Sequence, residues 1–220
     1  MTKIEVSRDI REENRKLSEQ LKARYAGLGL RVVGLLGSPG SGKTTLLEGL
    51  LPTLAKRKRT AVIEGDVATE NDARRVRELG VTAVQINTNG ACHLDVPMVE
   101  RALESLTLPD FDLLLVENVG NLVCPVGFPL GETLRLAVIS AAEGEDKPLK
   151  YPSAILKTDA LVITKTDVAK LTRSDPERMA AYARQINPSI RVFLTGLDAN
   201  GAFVDLTDAT GDALARYILG

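Results

Sequence analysis

One short segment of the chain limits the fold that can form around it. Residues 37–44 read Gly-Ser-Pro-Gly-Ser-Gly-Lys-Thr and match the pattern G-x-x-x-x-G-K-S/T at every fixed position. The glycines let successive backbone N–H groups turn inward around phosphates, and a helix that begins near Lys43 points its positive end at them. Such a loop needs a buried strand before it and a helix after it. Largely apolar residues at 32–36 and 45–51 supply both.

This segment predicts a site for a nucleoside triphosphate. Lys43 is expected to reach the β- and γ-phosphates, and the Thr44 hydroxyl is expected to bind Mg²⁺. The expected phosphate-binding residues are Gly37, Gly40, Ser41, Gly42, Lys43, Thr44 and Thr45. The alternative is a glycine-rich turn that matches by chance, and the flanking strand and helix argue against it.

Beyond this loop, short apolar runs rich in β-branched residues alternate with helical patterns. Strands are predicted at 32–36, 60–64, 83–87, 113–117, 136–140, 160–164 and 191–194. Helices are predicted from Thr44 and at 70–79, 97–106, 177–186 and 211–219. The alternation predicts an α/β fold for residues 28–220: one P-loop NTPase domain with a mostly parallel sheet covered by helices on both faces. Sites in such folds lie at the carboxyl ends of the strands.

The first 27 residues are more highly charged than the rest of the chain. Four apolar residues recur there at near-helical spacing: Ile10, Leu17, Leu21 and Tyr25. Residues 3–25 are therefore predicted to form an amphipathic helix, and residues 1–27 are assigned to a segment ahead of the domain. The pattern leaves open whether this helix docks on the domain, on a partner or on a second copy.

The overall charge argues against some classes of partner. With 28 basic and 29 acidic residues the net charge is −1, which gives no global attraction to nucleic acid or to an anionic membrane. The first residues lack the apolar core of a signal peptide, and no apolar run approaches the ~18 residues of a membrane span. Only two cysteines occur, Cys92 and Cys124. The sequence therefore predicts a cytoplasmic protein with neither nucleic acid nor membrane as its partner.

Residues 164–167 read Thr-Lys-Thr-Asp and end an apolar strand. They resemble the N/T-K-x-D element with which P-loop GTPases read guanine, in the Thr form of the signal-recognition-particle GTPases. Asp167 is expected to accept hydrogen bonds from guanine N1–H and the 2-amino group, and adenine offers neither donor. Thr164, Lys165 and Asp167 are therefore predicted to bind the base, with a further contact from the loop at 194–198. The alternatives are a surface turn and an ATP-dependent enzyme in which the match is accidental.

Acidic residues at strand ends are the candidates for catalysis, because phosphoryl transfer depends mainly on positioning and charge neutralisation. Residues 117–120 read Glu-Asn-Val-Gly and resemble the D-x-x-G switch of GTPases. Glu117 is expected to hold the Mg²⁺ shell, and the Gly120 N–H is expected to contact the γ-phosphate. Asp66 is expected to orient water or to bind Mg²⁺. The alternative for each carboxylate is a helix cap or a solvated group. The predicted catalytic residues are Lys43, Asp66, Glu117 and Gly120. Three arginines are interpreted as the exposed face of a helix: Arg74, Arg75 and Arg77.

A second constellation points to a transition metal. Cys92 and His93, the only histidine, lie between a predicted strand and a predicted helix, and Cys124 lies four residues after Gly120. Two thiolates and an imidazole suit Zn²⁺ and also Ni²⁺, and they leave one coordination position open. Adjacent residues of a strand point in opposite directions, so sharing one ion requires a loop or the two-fold axis of a dimer. The alternative is a buried cysteine that acts as a small apolar residue, together with a surface histidine.

Three stretches around the P-loop resemble the hydrogenase nickel-incorporation accessory GTPases, the HypB family: residues 90–95, 117–125 and 143–152. The resemblance implies a SIMIBI-type GTPase that binds GTP or GDP with Mg²⁺ and forms a GTP-dependent homodimer. It implies delivery of nickel to the large subunit of nickel–iron hydrogenase, with a small nickel- and zinc-binding protein, HypA, as partner. The family's metal-site roles carry onto Cys92, His93 and Cys124, with Ni²⁺ or Zn²⁺ as the ion.

Two features depart from the pattern of this family. The first residues contain neither the Cys-x-x-Cys-type motif nor the His-rich tract of some members, so tight nickel storage by them is not expected. Thr164 stands where Asn is commoner, which is expected to weaken base affinity and to leave the discrimination by Asp167 intact. The urease accessory GTPases are the nearest rival family, but they carry Cys-Pro-His, whereas this chain reads Cys-His.

Two hypotheses about the metal follow. In the first, GTP orders residues 117–124, moves Cys124 and closes a dimer around the ion, so that metal affinity depends on the nucleotide. In the second, the protein is a GTPase switch with a structural zinc, which binds equally in every nucleotide state.

Overall fold

The computed structural model describes residues 6–67 and 71–220, and the strands of this part form one sheet. The strands are β1 (Arg31–Gly37), β2 (Thr60–Asp66), β3 (Thr82–Asn87), β4 (Leu113–Glu117), β5 (Leu134–Ser140), β6 (Ala160–Thr164), β7 (Arg191–Leu197) and β8 (Phe203–Asp205). Their order across the sheet is β3-β2-β4-β1-β5-β6-β7-β8, and only the β7–β8 pair is antiparallel. The predicted α/β fold with a mostly parallel sheet is therefore confirmed.

Helices cover both faces of this sheet. They are α1 (Val6–Gly27), α2 (Lys43–Ala55), α3 (Asn71–Glu78), α4 (Val96–Leu103), α5 (Lys147–Lys150), α6 (Pro152–Leu156), α7 (Pro176–Ile186) and α8 (Ala213–Leu219). Helices α2, α3 and α8 pack on one face, and α1, α4, α6 and α7 pack on the other. This double coverage explains why β4 and β6 are apolar at nearly every position and buried along their whole length.

The N-terminal helix α1 docks on the domain from Asn14 to Tyr25. Leu21 and Tyr25 are 2% and 0% exposed and belong to the core on the α4 side of the sheet. The buried Asn14 side chain forms hydrogen bonds with two backbone groups of the domain. Ile10 stays 51% exposed, and residues 3–5 of the predicted helix lie outside the described part. None of the described helices is both long and apolar enough to cross a bilayer.

The differences from the predicted elements lie at helix and strand ends and in short elements; β7, for example, continues to Leu197, three residues beyond its predicted end. Helix α4 ends at Leu103, three residues before the predicted end, and α8 begins at Ala213 rather than at 211. No periodic pattern predicts α5, α6 or β8, because elements of three to five residues are too short to show one. A turn precedes β8, and Asp198 Oδ1 closes it by accepting hydrogen bonds from the N–H groups of Asn200 and Ala202. This turn returns the chain alongside β7, next to the site described below.

Candidate nucleotide and metal sites

The phosphate-binding loop lies where β1 ends and α2 begins, as the sequence predicts. Gly40 and Gly42 have φ values of 71° and 86°, a left-handed conformation that glycine adopts without steric cost. A side chain at Gly37 would collide with the carbonyl oxygen of Val138 on β5. Backbone conformation and close contact with the neighbouring strand therefore require glycine at these three positions.

Three of the predicted phosphate and Mg²⁺ ligands meet beneath this loop. Thr44 Oγ1 donates a hydrogen bond to Glu117 Oε1 at 3.1 Å, and Lys43 Nζ lies 4.0 Å from the same oxygen. Lys43 Nζ also donates to the carbonyl oxygens of Gly37 and Ser38, each at 3.4 Å. Lys43, Thr44 and Glu117 are all buried. Their positions are thus set by β1, α2 and β4 together.

A second carboxyl group, that of Glu64, lies beside Glu117. Glu64 on β2 is the register partner of Glu117 on β4, and only 2% of Glu64 is exposed. Burial raises the pKa of Glu117 to about 7, although the nearby Lys43 cation opposes this shift. Burial, the charge of Glu117 and a hydrogen bond between the two side chains raise the pKa of Glu64 well above its ordinary value. The sequence predicts Glu117 at this site but not Glu64, because strand pairing is not visible in a sequence.

A cavity of about 470 Å³ opens above these residues. The P-loop, the end of β2, α3, residues 117–120 and Lys165 form its walls. Asp66 and Gly120, two of the predicted catalytic residues, line it. A Cβ atom at Gly120 would lie 2.9 Å from Pro39 Cα, so the Gly120 backbone fits directly against the P-loop. The cavity is of the size that small-molecule ligands occupy in proteins.

Arg74 and Arg77 are exposed, as the sequence pattern indicates, whereas Arg75 is half-exposed and bonded to acidic side chains. Its guanidinium donates to both carboxylate oxygens of Glu48 on α2, at 2.7 and 2.5 Å, and to Asp72 at 3.2 Å. Arg75 and Asp72 both line the large cavity. Glu48 lies on another helix, so the sequence pattern of α3 does not show this ion pair.

A second, smaller cavity of about 190 Å³ adjoins the first. Three residues line both cavities: Gly42, Thr45 and Lys165. Asp167 lines the smaller one, and its Oδ1 accepts a hydrogen bond from the N–H of Leu197 at 3.0 Å. Leu197 and Phe203 form an apolar part of its wall. Phe203 lies on β8 and is missed by the sequence analysis together with that strand.

The loop that carries Asp167 is tied to the P-loop. Thr164 Oγ1 donates to the carbonyl oxygen of Ser41 at 2.5 Å, and Lys165 Nζ donates to that of Gly40 at 2.8 Å. On the other side, a Cβ atom at Gly196 would lie 2.7 Å from Asp167 Oδ1. Gly196 lies in the segment 194–198 that is predicted as a loop; the structure instead extends β7 to Leu197 and places Gly196 beside Asp167.

Cys92, His93 and Cys124 come together at the surface of a single chain. Their ligand atoms all lie within 4.8 Å of one another. Cys92 is exposed, while His93 and Cys124 are half-buried. The His93 ring packs on Phe128 with the ring centroids 3.9 Å apart. Cys92 and His93 lie on the loop between β3 and α4, and their Sγ and Nδ1 atoms are 3.5 Å apart, so the loop turns both side chains to one side.

The ionisation of these side chains makes metal binding depend on pH. Burial lowers the pKa of His93, which favours the neutral imidazole that a metal needs. A hydrogen bond with the Cys124 thiol, together with burial, raises the pKa of Cys92. A metal ion at this site has to displace thiol protons, so its binding releases protons.

Asn118 connects the two sites, and the sequence analysis assigns it no role. It is 4% exposed, and its Oδ1 accepts hydrogen bonds from the N–H groups of Leu94 and Val119, each at 2.9 Å. Leu94 directly follows His93, and Asn118 directly follows Glu117. One hydrogen bond thus joins Leu94 to Asn118. It thereby links the loop of His93 to the end of the strand that carries Glu117.

A second connection between the sites runs through Asn121. This residue forms an isolated antiparallel bridge with Gly37, the first residue of the P-loop. Its Oδ1 accepts hydrogen bonds from the N–H groups of Val123 at 2.7 Å and Cys124 at 3.2 Å. Cys124 is therefore held by a residue that itself pairs with the P-loop.

Several known proteins are similar to this chain in sequence. Residues 31–194 match the family described as CobW/HypB/UreG, nucleotide-binding domain. The hydrogenase maturation factor HypB of Azotobacter chroococcum is 48% identical over 189 residues, which cover 86% of this chain but only 62% of that protein. The probable hydrogenase maturation factor HypB of Methanocaldococcus jannaschii is 38% identical over 200 residues, which cover 91% of this chain and 90% of that protein.

Solved structures share the fold. HypB from Helicobacter pylori in complex with nickel superimposes with a TM-score of 0.84 at 35% identity and covers 94% of each chain. HypB from Archaeoglobus fulgidus gives a TM-score of 0.82 at 35% identity, covering 94% of this chain and 99% of that one. The signal recognition particle 54 kDa protein of Aeropyrum pernix gives 0.62 at 15% identity, a similarity of fold alone. The predicted SIMIBI-type fold is therefore confirmed.

Proposed function

Because this chain belongs to the HypB family of hydrogenase maturation factors, we propose that it is a GTPase whose nucleotide state controls a nickel site. In this role it helps to insert nickel into the large subunit of nickel–iron hydrogenase. One observation carries the proposal: residues 117–124 hold a nucleotide-site carboxylate at one end and a metal-site thiol at the other. The nickel complex of the Helicobacter pylori relative supports nickel as the ion.

At the nucleotide site, the P-loop and Lys43 hold the triphosphate, and Thr44 and Glu117 are the proposed ligands of Mg²⁺. Glu117 Oε2 is buried and has no hydrogen-bond partner within residues 6–67 and 71–220, while Oε1 contacts Thr44. A carboxylate oxygen without a partner beside a hydroxyl is a donor set that suits this cation. When bound, Mg²⁺ supplies charge neutralisation at the phosphates. Asp66 orients the attacking water or adds to the Mg²⁺ shell, and the Gly120 N–H contacts the γ-phosphate.

The smaller cavity is the proposed guanine site. The Asp167 carboxylate accepts hydrogen bonds from the two donors that guanine presents on one edge, and adenine leaves that carboxylate without them. Thr164 and Lys165 bond the segment that carries Asp167 to the P-loop, so the segments that bind the base and the phosphates are connected. The proposal therefore includes selectivity for GTP over ATP.

At the metal site, Cys92, His93 and Cys124 bind nickel as cargo. Three protein ligands leave a coordination position for a group from another molecule. Because Cys92 is exposed, a second copy of the chain can approach the ion, and we place the metal at the interface of a GTP-dependent homodimer. The same position allows exchange with a HypA-like nickel- and zinc-binding protein. Zn²⁺ accepts the same ligands and is the competing ion.

The coupling between the sites follows from their connections. A γ-phosphate beside Gly120 repositions the backbone that packs on Pro39. Movement there is passed to Cys124 through Asn121 and to the Cys92–His93 loop through Asn118. Hydrolysis removes the γ-phosphate and resets the metal site, which gives nickel transfer a direction.

GTP hydrolysis, ATP competition and nickel binding measured on one preparation of the full chain test this proposal. We expect GTP to be hydrolysed and nickel to bind at a site that requires Cys92. ATP should bind at least about 100-fold more weakly than GTP, because the site recognises the base by hydrogen bonds. Equal affinity for the two nucleotides contradicts the guanine assignment. Undiminished nickel binding in Cys92→Ala contradicts the metal assignment.

A further inference from the structure

Three polar side chains form a row across three neighbouring strands beside the nucleotide site. In the strand register Glu64 on β2 faces Gln85 on β3 and Glu117 on β4. Paired residues of adjacent strands point to the same face of a sheet, so this row runs from beneath the P-loop to β3 at the sheet edge. The proposed function uses Glu117 and leaves Glu64 and Gln85 without a role.

The row is buried, and its hydrogen bonds are incomplete. Glu64 and Glu117 are 2% and 5% exposed. In the described part of the chain, Glu64 Oε1, Glu117 Oε2 and both amide atoms of Gln85 are buried without a hydrogen-bond partner. Buried polar atoms are normally satisfied, and a buried carboxyl group with an oxygen that lacks a partner costs stability. The stability of the sheet therefore does not account for Glu64.

Glu64 instead affects the orientation of the Glu117 carboxyl group. Glu117 Oε1 accepts the Thr44 hydroxyl at 3.1 Å and lies 4.0 Å from Lys43 Nζ. Glu64 lies directly opposite Glu117 in the strand register, and both side chains are buried on the same face of the sheet, where cross-strand neighbours limit each other's rotation. Thr44 lies in the first turn of α2 and Glu64 lies on β2, so two rigid elements fix one carboxyl group.

We infer that Glu64 is a positioning residue for GTP hydrolysis: it holds the Glu117 carboxyl group in the orientation that reaches Thr44 and the Mg²⁺ ion. This inference rests on the proposed GTPase function and deepens it. It assigns Glu64 no contact with nucleotide or metal. Its effect is therefore expected in the turnover number and in the Mg²⁺ dependence, and not in nucleotide binding without Mg²⁺.

The test compares Glu64→Leu, which removes the hydrogen bond at similar volume, with Glu64→Gln, which keeps a hydrogen-bonding group. For Glu64→Leu we expect kcat for GTP to fall about 10- to 100-fold, as misplaced catalytic groups do. The Mg²⁺ concentration for half-maximal rate should rise about 10-fold, the lower end of the range for lost outer hydrogen-bond partners. GDP affinity in EDTA and the melting temperature should stay at or above the wild-type values. Glu64→Gln should recover most of the lost kcat and Mg²⁺ affinity.

Gln85→Leu is the matched control, because it lies in the same row without touching Glu117, and we expect its kcat to stay within about twofold of wild type. Wild-type kcat and Mg²⁺ dependence in Glu64→Leu overturn the inference, and so does a loss in Glu64→Gln as large as in Glu64→Leu. If Glu64→Leu does not fold, Glu64→Met carries the same prediction, and a failure of both to fold also overturns it, because the side chain is then structural. A wild-type chain that does not hydrolyse GTP overturns the proposed function instead.

Discussion

The nucleotide site and the metal site are built in contrasting ways. Lys43 and Thr44 are buried in the first turn of α2, and Glu117 is buried at the end of β4. Thr44 donates a hydrogen bond to Glu117, and the Lys43 cation lies 4.0 Å from the same carboxylate oxygen. Cys92, in contrast, is exposed, and all three metal-site residues lie outside the regular helices and strands. The nucleotide site is thus held by the sheet, whereas the metal site is held by loops. Under the proposed function we expect the nucleotide site to be the controlling half and the metal site to be the responding half.

The connection between these two halves is small and specific. It consists of the Asn118 side chain bonded to the N–H of Leu94 and the Asn121 bridge to Gly37. A few hydrogen bonds are enough for coupling of the usual size, since a tenfold change in affinity is about 1.4 kcal/mol. Coupling is also reciprocal, so a nickel ion that binds more tightly with GTP must strengthen GTP binding by the same factor.

The largest effect should come from removing the buried cation of the nucleotide site. Lys43→Ala is expected to weaken GTP binding by about 2–5 kcal/mol, because a buried charge that pairs with phosphate is lost. Nickel binding without nucleotide should be unchanged, because Lys43 does not contact the metal loops. Isothermal titration with GTP and with nickel measures both, with Lys56→Ala at the exposed end of the same helix as control. A parallel loss of nickel affinity would show that the halves are not separate.

Removing a metal ligand should give the complementary result. Cys92→Ala is expected to weaken nickel binding by more than about 100-fold, beyond what loss of an outer hydrogen-bond partner costs. Because Cys92 is exposed, the free energy of unfolding should change by no more than about 0.5 kcal/mol. Metal titration and chemical denaturation measure these quantities. A stability loss of several kcal/mol would make the thiol a structural element instead.

The buried carboxylate of the nucleotide site should make stability depend on pH. The pKa of Glu117 is about 7 in the folded chain, compared with 4.5 for an ordinary glutamate. The folded state thus binds this proton more tightly, so the stabilisation is present below pH 4.5 and is lost as the pH rises to about 7. We expect the free energy of unfolding of nucleotide-free wild type, relative to Glu117→Gln, to fall by up to about 3 kcal/mol across this window. Parallel stability curves of the two proteins would contradict the prediction.

The smallest effect concerns the connection itself. Asn118→Ala removes the hydrogen bond to Leu94 and leaves the Asn121 bridge, so a tenfold difference in nickel affinity between nucleotide states should shrink to about threefold, a loss of roughly 0.7 kcal/mol of coupling. Asn14→Ala is a matched control, because Asn14 is equally buried at 4% exposure and also bonds to backbone groups, but lies on α1. Both variants should lose about 1–2 kcal/mol of stability, and only Asn118→Ala should lose coupling. Intact coupling in Asn118→Ala would locate the connection elsewhere.

The parts of this molecule that the sequence predicts are those encoded by local patterns. The P-loop has a fixed spacing, the parallel strands are continuous apolar runs, and Thr164 to Asp167 directly follow such a run. Cys92, His93 and Cys124 stand out because cysteine and histidine are rare in the chain. Each of these signals is contained in a short stretch or in the choice of residue type.

The remaining features depend on tertiary pairing. Glu64 belongs to the site because β2 lies beside β4 in a particular register, and Asn118 because its side chain meets the loop after His93. Arg75 forms an ion pair with Glu48, which lies on the neighbouring helix. Phe203 comes from a three-residue strand that is too short to show a period. No spacing along the chain encodes these contacts.

The most direct test of control by the nucleotide site is a competition titration of Ni²⁺ and Zn²⁺ into metal-free protein. The protein is held with GDP in one series and with a non-hydrolysable GTP analogue in the other, and affinity and ions per chain are recorded. We predict that nickel affinity or stoichiometry changes between the two series, with a reciprocal change in nucleotide affinity when nickel is present. Identical binding of both ions in both series would contradict the account and leave a structural metal beside an independent nucleotide site.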